Sequence, residues 1–156
     1  MNGERNGKGK EYEEDKLIFE GEYKYGKRNG KGNEYDDLYG GLIFEGEYKN
    51  GKRNGKGKEY YYDGKLKYEG EYLNGKRNGK GKEYYDNGNL KFDGEYLNGK
   101  KWNGIGFNFF GEIAFEIKDG KGHIKEYYCF LNLKFEGEYL NGERNGKGKE
   151  YYDNVN

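Results

Sequence analysis

A motif that recurs in tandem along the chain constrains its fold more than any other feature. Its clearest copy reads YEGEYLNGKRNGKGKEYYD over residues 68–86. Regular copies begin at Phe19, Phe44, Tyr68, Phe92 and Phe135. Residues 2–12 are identical in sequence to residues 141–151, so we interpret them as a half repeat. Because tandem units of this kind stack on their neighbours, we predict a single repeat domain over residues 1–156, with a degenerate unit at about 107–130.

Within each copy, apolar and polar residues alternate with period two, which is typical of a half-buried β-strand. In the third copy, Tyr68, Gly70 and Tyr72 fall on one face and charged residues fall on the other. Asn74-Gly75 then supplies the positive φ that a tight hairpin needs. We therefore predict an all-β fold, a single elongated, twisted antiparallel sheet of tandem β-hairpins with about thirteen strands.

A turn centred between Gly75 and Lys76 gives a register that makes chemical sense on both faces of the sheet. The expected cross-strand pairs are Tyr72–Gly79, Glu71–Lys80, Gly70–Gly81 and Glu69–Lys82. On one face the tyrosine ring then lies over glycines, which leave it room. On the other face acidic residues oppose basic ones in an exposed ladder, which fixes the register more than it stabilises the fold.

Composition favours folding and excludes several classes of partner. Apolar residues make up 31% of the chain and charged residues 37%, but nineteen Tyr, nine Phe and one Trp supply ample aromatic surface to bury. The 29 basic and 29 acidic residues leave no net charge, so we predict no nucleic-acid partner. No apolar run or signal core stands out, so we expect a soluble intracellular protein, cytoplasmic or associated with cytoskeleton or membrane. A virus particle stays open if the source is a large virus.

The residues that most enzymes need are missing or isolated. The chain has no Ser, Thr, Gln or Pro, which excludes hydroxyl nucleophiles. The recurring GKRNGKG lacks the spacing and the Ser/Thr of a phosphate-binding loop. Glu69 and Glu71 recur opposite lysines, as a solvated ladder would, and His123 is the only histidine. We predict no catalytic residues, no cofactor and no metal, with His123 in a loop of the degenerate unit and the lone Cys129 as a buried small hydrophobe.

Candidate partner contacts come from the irregular segment and from the tyrosine stripe. Lys101-Trp102 inserts one residue into the usual turn, and the next unit loses the motif. That unit is either an eroded repeat or a partner patch with Trp102 anchoring it from a protruding loop. The candidate surface residues are Trp102, Tyr23, Tyr48, Tyr72, Tyr96 and Tyr139.

The string YEGEYLNGKRNGKG at residues 68–81 resembles the MORN (membrane occupation and recognition nexus) motif, and the resemblance covers nearly the whole chain. Two departures stand out. Tyr holds the second aromatic position, where Trp is common in the family, and Asn stands where the family often has His, at Asn29, Asn54, Asn78 and Asn145. The resemblance implies an elongated twisted sheet used as a scaffold, dimerisation or anchoring module.

We therefore predict a non-catalytic scaffold or protein-interaction module. Its partners are expected to be proteins, including copies of itself joined through sheet edges. Two alternatives stay open. One is a membrane- or phosphoinositide-associated adaptor, for which the residues themselves give no independent support. The other is a regulatory subunit that acts on an enzyme in trans.

Overall fold

The computed structural model describes residues 4–128 and 132–152, and every regular element in them is a β-strand. The strands are Gly7–Glu13 (β1), Lys16–Lys24 (β2), Lys27–Tyr35 (β3), Leu42–Lys49 (β4), Lys52–Tyr60 (β5), Leu66–Leu73 (β6), Lys76–Tyr84 (β7), Leu90–Leu97 (β8), Lys100–Phe107 (β9), Ile113–Ile117 (β10), Gly122–Tyr127 (β11), Leu133–Leu140 (β12) and Glu143–Glu150 (β13). Strands β1 to β10 form one antiparallel sheet in sequence order, and β11 to β13 form a second. The predicted all-β array of consecutive hairpins with thirteen strands is confirmed.

The strand pairing was expected to continue along the whole chain. It is interrupted between β10 and β11, where an isolated bridge joins Lys118 and Lys121. The reason lies in two bulky side chains. In the regular repeats Gly81 pairs with Gly94. In the degenerate unit, Ile117 pairs with Gly104 and Ile124 pairs with Gly137. Ile117 and Ile124 thus replace glycines, and their side chains prevent the close approach that paired glycines allow.

Two kinds of connection alternate along the chain. Tight turns of two residues, both with positive φ, are formed by Tyr25-Gly26, Asn50-Gly51, Asn74-Gly75, Asn98-Gly99, Asp119-Gly120 and Asn141-Gly142. Such turns match the twist of the flanking strands. All of them except Asn98-Gly99 show a backbone hydrogen bond to the preceding repeat, as where the amide of Gly51 donates to the carbonyl of Arg28 at 2.9 Å. The other connections, apart from the short turn at Glu14-Asp15, are wider loops such as 36–41, 61–65, 85–89 and 108–112.

The predicted register is correct in the middle of the hairpin and wrong near the turn. In β4–β5 Gly46 pairs with Gly57 and Glu45 pairs with Lys58, as the pattern predicts, but Tyr48 pairs with Arg53 rather than with Gly55. The turn is Asn50-Gly51, one residue earlier than predicted. A bulge in β5 before Gly57 compensates for the earlier turn. Gly55 lies in this bulge with a φ of 109°.

The chain divides into two compact units, Met1–Arg77 and Asn78–Asn156, and each has its own row of buried rings. In the first unit Phe19, Phe44 and Tyr68 are fully buried. They lie over glycines, since a methyl group on Gly57 would be only 2.5 Å from Cζ of Phe44. In the second unit Phe92 and Phe135 hold the same position in their repeats. The core of each unit therefore lies on one face of its sheet.

Candidate functional site

The repeat tyrosines that we predicted as partner contacts are part of the core. Tyr23, Tyr48, Tyr72 and Tyr96 are only 4 to 5% exposed, and Tyr139 is half-buried. The ring of Tyr48 packs edge-on against Phe19 at 5.2 Å and against Phe44 at 5.7 Å. Because two neighbouring repeats enclose each ring, the tyrosine stripe offers little open surface to a partner. This corrects the expectation that the aromatic stripe is exposed.

A glutamate and an arginine complete this aromatic layer in each regular repeat of the first unit. Tyr48 donates its hydroxyl hydrogen to Glu34, and Arg53 donates to the same carboxylate from Nε at 3.1 Å and Nη2 at 2.7 Å. The Arg53 guanidinium also lies flat over Phe44, with Cζ 3.9 Å from the ring centroid. Ring, guanidinium and carboxylate form an aromatic–arginine–carboxylate group, which satisfies the charges at the outer surface of the core.

These groups join into a continuous row of ion pairs in the first unit. The row runs Arg5, Glu11, Arg28, Glu34, Arg53, Glu59 and Arg77, with N–O distances of 2.7 to 4.0 Å. Burial by itself would raise the pKa of Glu34, but hydrogen bonds from Arg53 and Tyr48 and the charges of both arginines outweigh it and hold that pKa below its ordinary value. Burial and the bond to Glu34 raise the pKa of Tyr48. The carboxylates are thus ionised and engaged in structure.

Trp102 does not lie on a protruding loop, as we predicted, but within strand β9. It is the extra residue of the bulge between Glu95 and Tyr96 in the β8–β9 pairing. Its carbonyl accepts a hydrogen bond from the amide of Gly120 at 2.8 Å, and a methyl group on Gly120 would be 2.7 Å from its ring. Trp102 is half-buried against the turn of the degenerate unit. Its role as a partner anchor stays a prediction.

The neighbouring Lys101 takes the position that arginine holds in the other repeats. Its Nζ lies 3.1 Å from Glu83 and 5.2 Å from the centroid of Phe92. An ammonium group cannot donate to both carboxylate oxygens in the fork geometry of a guanidinium. Lys101 therefore preserves the charge of the group without its bidentate geometry.

His123 lies on strand β11, so the loop position predicted for it is wrong. Its ring stands between two carboxylates of β12, with Nε2 3.2 Å from Glu136 and Nδ1 3.4 Å from Glu138. Hydrogen bonds to Glu136 and then to Glu138 raise the pKa of His123. Within residues 4–128 and 132–152, no group of three or more His, Cys, Asp or Glu is placed to hold a metal ion. Cys129 lies outside the described residues.

The predicted charge ladder lies on the face opposite the aromatic layer. Lys58 and Glu45 are 3.9 Å apart, and Lys82 and Asp93 are 3.4 Å apart. Glu69 stands opposite Lys58 across the next strand pair, which places it in the ladder rather than in a site. Since these pairs are about half-exposed, each contributes at most about 1 kcal/mol to stability.

Sequence reasoning missed the largest exposed apolar side chains of the first unit. Leu38, Tyr39 and Tyr62 are 70, 79 and 76% exposed and belong to loops 36–41 and 61–65. The two tyrosine rings meet edge to face, with centroids 6.2 Å apart. We call these three side chains the loop aromatic patch. The only signal for it in the sequence is that Leu-Tyr and Tyr-Tyr interrupt turn segments otherwise rich in Asp and Gly.

Both loops that carry the patch are ordered by their own hydrogen bonds. The buried carboxylate of Asp36 accepts from the amides of Leu38 at 3.1 Å and Tyr39 at 2.7 Å. In the second loop the amide of Tyr61 donates to the carbonyl of Lys65, and Nζ of Lys65 lies 2.8 Å from Asp63. These bonds therefore fix the backbone of both loops that carry the exposed rings.

The matching loops of the second unit are joined to each other by hydrogen bonds. Side chains of Asn87 and Asn89 both donate to the carbonyl of Phe109, at 3.1 and 2.9 Å. Tyr85 and Phe109 pack at 5.4 Å and are nearly buried. In the first unit loop 36–41 precedes loop 61–65 as 85–89 precedes 108–112, and it contains no asparagine. Loop 36–41 therefore cannot bind loop 61–65 through the two asparagine side-chain bonds that join the loops of the second unit.

Comparison with known families gives one match. The model described as MORN repeat matches residues 1–12, 19–36, 44–65, 68–90 and 135–154. The matched segments leave out residues 91–134, which contain Trp102 and the degenerate unit. No curated protein matches the chain. Across the part of the chain that the structure describes, no helix is long and apolar enough to span a bilayer.

Proposed function

The chain belongs to the MORN repeat family, and from that premise we propose that it is a non-catalytic scaffold that holds protein partners on its wide loops. MORN repeats are common in scaffold and membrane-associated proteins, and the family is generally non-catalytic. The regular repeats supply a stable sheet. The loops that differ between repeats supply the contact surface, as is usual for repeat proteins.

The observation that carries the proposal is the loop aromatic patch. Leu38, Tyr39 and Tyr62 expose more than two thirds of their surface, although burying such side chains is worth about 1.5 to 3 kcal/mol each. Contiguous exposed apolar side chains on an ordered backbone are typical of protein contact sites. The fixed loops also lower the entropy lost when a partner binds.

The ionisable side chains favour a scaffold over an enzyme. Glu34, Arg53 and Tyr48 lie in one structural group, and the same arrangement recurs along the first unit. Perturbed pKa values often mark catalytic sites, but here the pKa shifts of Glu34, Arg53 and Tyr48 arise from burial and from an ion pair that recurs along the sheet. The repetition supports a structural role for these residues.

The membrane-adaptor alternative has less support from the same surface. Loops 36–41 and 61–65 carry three carboxylates and one ammonium group, so they would be repelled by anionic lipid headgroups. A regulatory subunit acting on an enzyme in trans would use the same contact surface as a scaffold. Self-association is a further form of the proposal. Light scattering on the purified chain would detect it.

The proposal is tested by comparing the proteins that three immobilised chains retain from a lysate of the source organism. The chains are the wild type, the triple variant Leu38→Ser, Tyr39→Ser, Tyr62→Ser, and the control Tyr25→Asn. Tyr25 is 69% exposed but lies in a tight turn, where other repeats carry Asn. We expect a set of proteins held by the wild type and the control but not by the triple variant. Identical sets for all three folded chains would contradict the proposal.

A further inference from the structure

We propose that the loop aromatic patch binds an arginine-bearing segment of a different protein, with the guanidinium stacked on Tyr39 or Tyr62 and paired with Asp37. The inference rests on the proposed function and names the chemistry of the partner. It follows from a comparison between the patch and the aromatic–arginine–carboxylate groups within the sheet.

Inside the sheet, the fully buried rings of Phe19, Phe44 and Tyr68 are each covered by a guanidinium that also binds a carboxylate. Arg28 lies 4.0 Å from the centroid of Phe19 and Arg53 lies 3.9 Å from that of Phe44, each with a glutamate at hydrogen-bonding distance. The two loops that carry the loop aromatic patch hold two of these three components, the rings of the patch and aspartate carboxylates. The guanidinium is the component that the loops do not supply.

The charge of the two loops favours a cation. Loops 36–41 and 61–65 contain Asp36, Asp37 and Asp63 against Lys65 alone, which leaves a formal charge of −2. Asp63 pairs with Lys65, and Asp36 is buried and engaged by backbone amides. Among the described residues Asp37 has no ion-pair partner and is exposed, so it is available to a partner's cation. Lys67, the nearest cation on β6, lies over the ring of Tyr61.

A second copy of the chain is a poor source of that guanidinium. The chain has five arginines, and Arg5, Arg28, Arg53, Arg77 and Arg144 are all paired with glutamate in the structure. Releasing one of them would uncover a core ring and leave a carboxylate unpaired. The partner is therefore a different protein, and arginine suits it better than lysine because a planar guanidinium stacks on a ring while donating to a carboxylate.

The test measures fluorescence anisotropy of a labelled peptide in which arginine and glycine alternate, titrated with the full chain. A matched peptide carries lysine at every arginine position. We expect the double variant Tyr39→Ser, Tyr62→Ser to bind the arginine peptide about tenfold more weakly than the wild type, and Asp37→Asn about threefold more weakly. Tyr25→Asn should bind like the wild type. The lysine peptide should bind the wild type several-fold more weakly than the arginine peptide.

Three results of the titration would overturn the inference. They are no binding of the arginine peptide by the wild type, equal binding by the double variant, and equal binding of the two peptides. Circular dichroism and urea midpoints show whether the variants are folded. If the arginine peptide does not bind but the lysate experiment still shows proteins whose binding depends on the patch, the scaffold function stands. The arginine assignment alone is then wrong. Patch-dependent self-association that the peptide does not displace would identify a second copy as the occupant and also overturn the inference.

Discussion

The guanidinium of Arg53 lies 3.9 Å from the centroid of the Phe44 ring, on a chain whose core occupies only one face of each sheet. Beneath the ring lie Gly46 and Gly57, which leave it room to lie flat. Above it the guanidinium replaces the second layer that most sheets pack against, and Glu34 neutralises its charge. The single-layered sheet thus obtains buried rings from its own side chains.

Removing Arg53 should therefore destabilise the fold more than removing an exposed lysine. We expect Arg53→Met to lower the free energy of unfolding by about 2 to 4 kcal/mol, because it leaves the half-buried Glu34 with a weaker partner. The matched control Lys58→Met, on the ladder face, should cost less than about 1 kcal/mol. Urea unfolding followed by circular dichroism measures both. Equal losses would show that Arg53 is only another surface charge.

Stability should fall with acid through the buried glutamates. The folded pKa of Glu34 lies below the ordinary value of 4.5, so its contribution is complete above about pH 5 and is lost as the pH falls through the folded pKa. Glu34→Gln should be less stable than the wild type at pH 7, and the difference should shrink below pH 4.5. Urea midpoints between pH 7 and pH 3 test this. A difference that does not depend on pH would contradict it.

His123 should titrate above its ordinary pKa of 6.5, because it is hydrogen-bonded to Glu136 and Glu138. The stabilisation from its protonated form is complete below pH 6.5 and is lost as the pH rises through the folded pKa. As the only histidine, it gives one unambiguous imidazole signal in an NMR titration. Glu136→Gln should move its pKa down, while Glu143→Gln, whose native partner is Lys100, should not. An unmoved titration in Glu136→Gln would rule out the proposed contact.

The two classes of glycine should respond differently to substitution. A Cβ on Gly46 would lie 2.7 Å from the Cα of Gly57 and from the carbonyl of Lys56, both backbone atoms that cannot yield, so Gly46→Ala should cost about 3 kcal/mol. Gly51 has a φ of +84° with no other atom near its Cβ position. Since asparagine tolerates that conformation, Gly51→Asn should cost less than about 1 kcal/mol. Similar losses in urea unfolding would refute the distinction.

Period-two alternation and the repeated Asn-Gly turns were enough to predict the strands and the ladder that includes Glu45 and Lys58. They could not predict the role of Arg53. The predicted turn, centred one residue later than the observed one, would pair Arg53 with Asn50. The observed two-residue turn instead places Arg53 opposite Tyr48, on the core face. The alternation also shows that Tyr48 and Phe44 share a face, but not that the next repeat and an arginine enclose them.

The loop aromatic patch could not be predicted because its exposure depends on contacts between loops far apart in sequence. Tyr62 and Phe109 hold matching positions in their loops, yet Tyr62 is exposed and Phe109 is buried. Hydrogen bonds from Asn87 and Asn89 draw the loops of the second unit together. Loop 36–41, which precedes 61–65 as 85–89 precedes 108–112, has no asparagine to donate such bonds, and sequence alternation carries no information about that pairing.

The repeat tyrosines are assigned to the core and the loop tyrosines to the contact surface. The most direct test of this division is nitration with tetranitromethane in native buffer, followed by peptide mass spectrometry. The repeat tyrosines Tyr48 and Tyr72 should resist nitration until urea unfolds the chain, because their rings are 4% exposed and their hydroxyls bind Glu34 and Glu59. Tyr39 and Tyr62, which are 79 and 76% exposed, should be modified before Tyr48 and Tyr72. Nitration of Tyr48 and Tyr72 as fast as Tyr39 and Tyr62 in the folded chain would contradict the division between core and contact tyrosines.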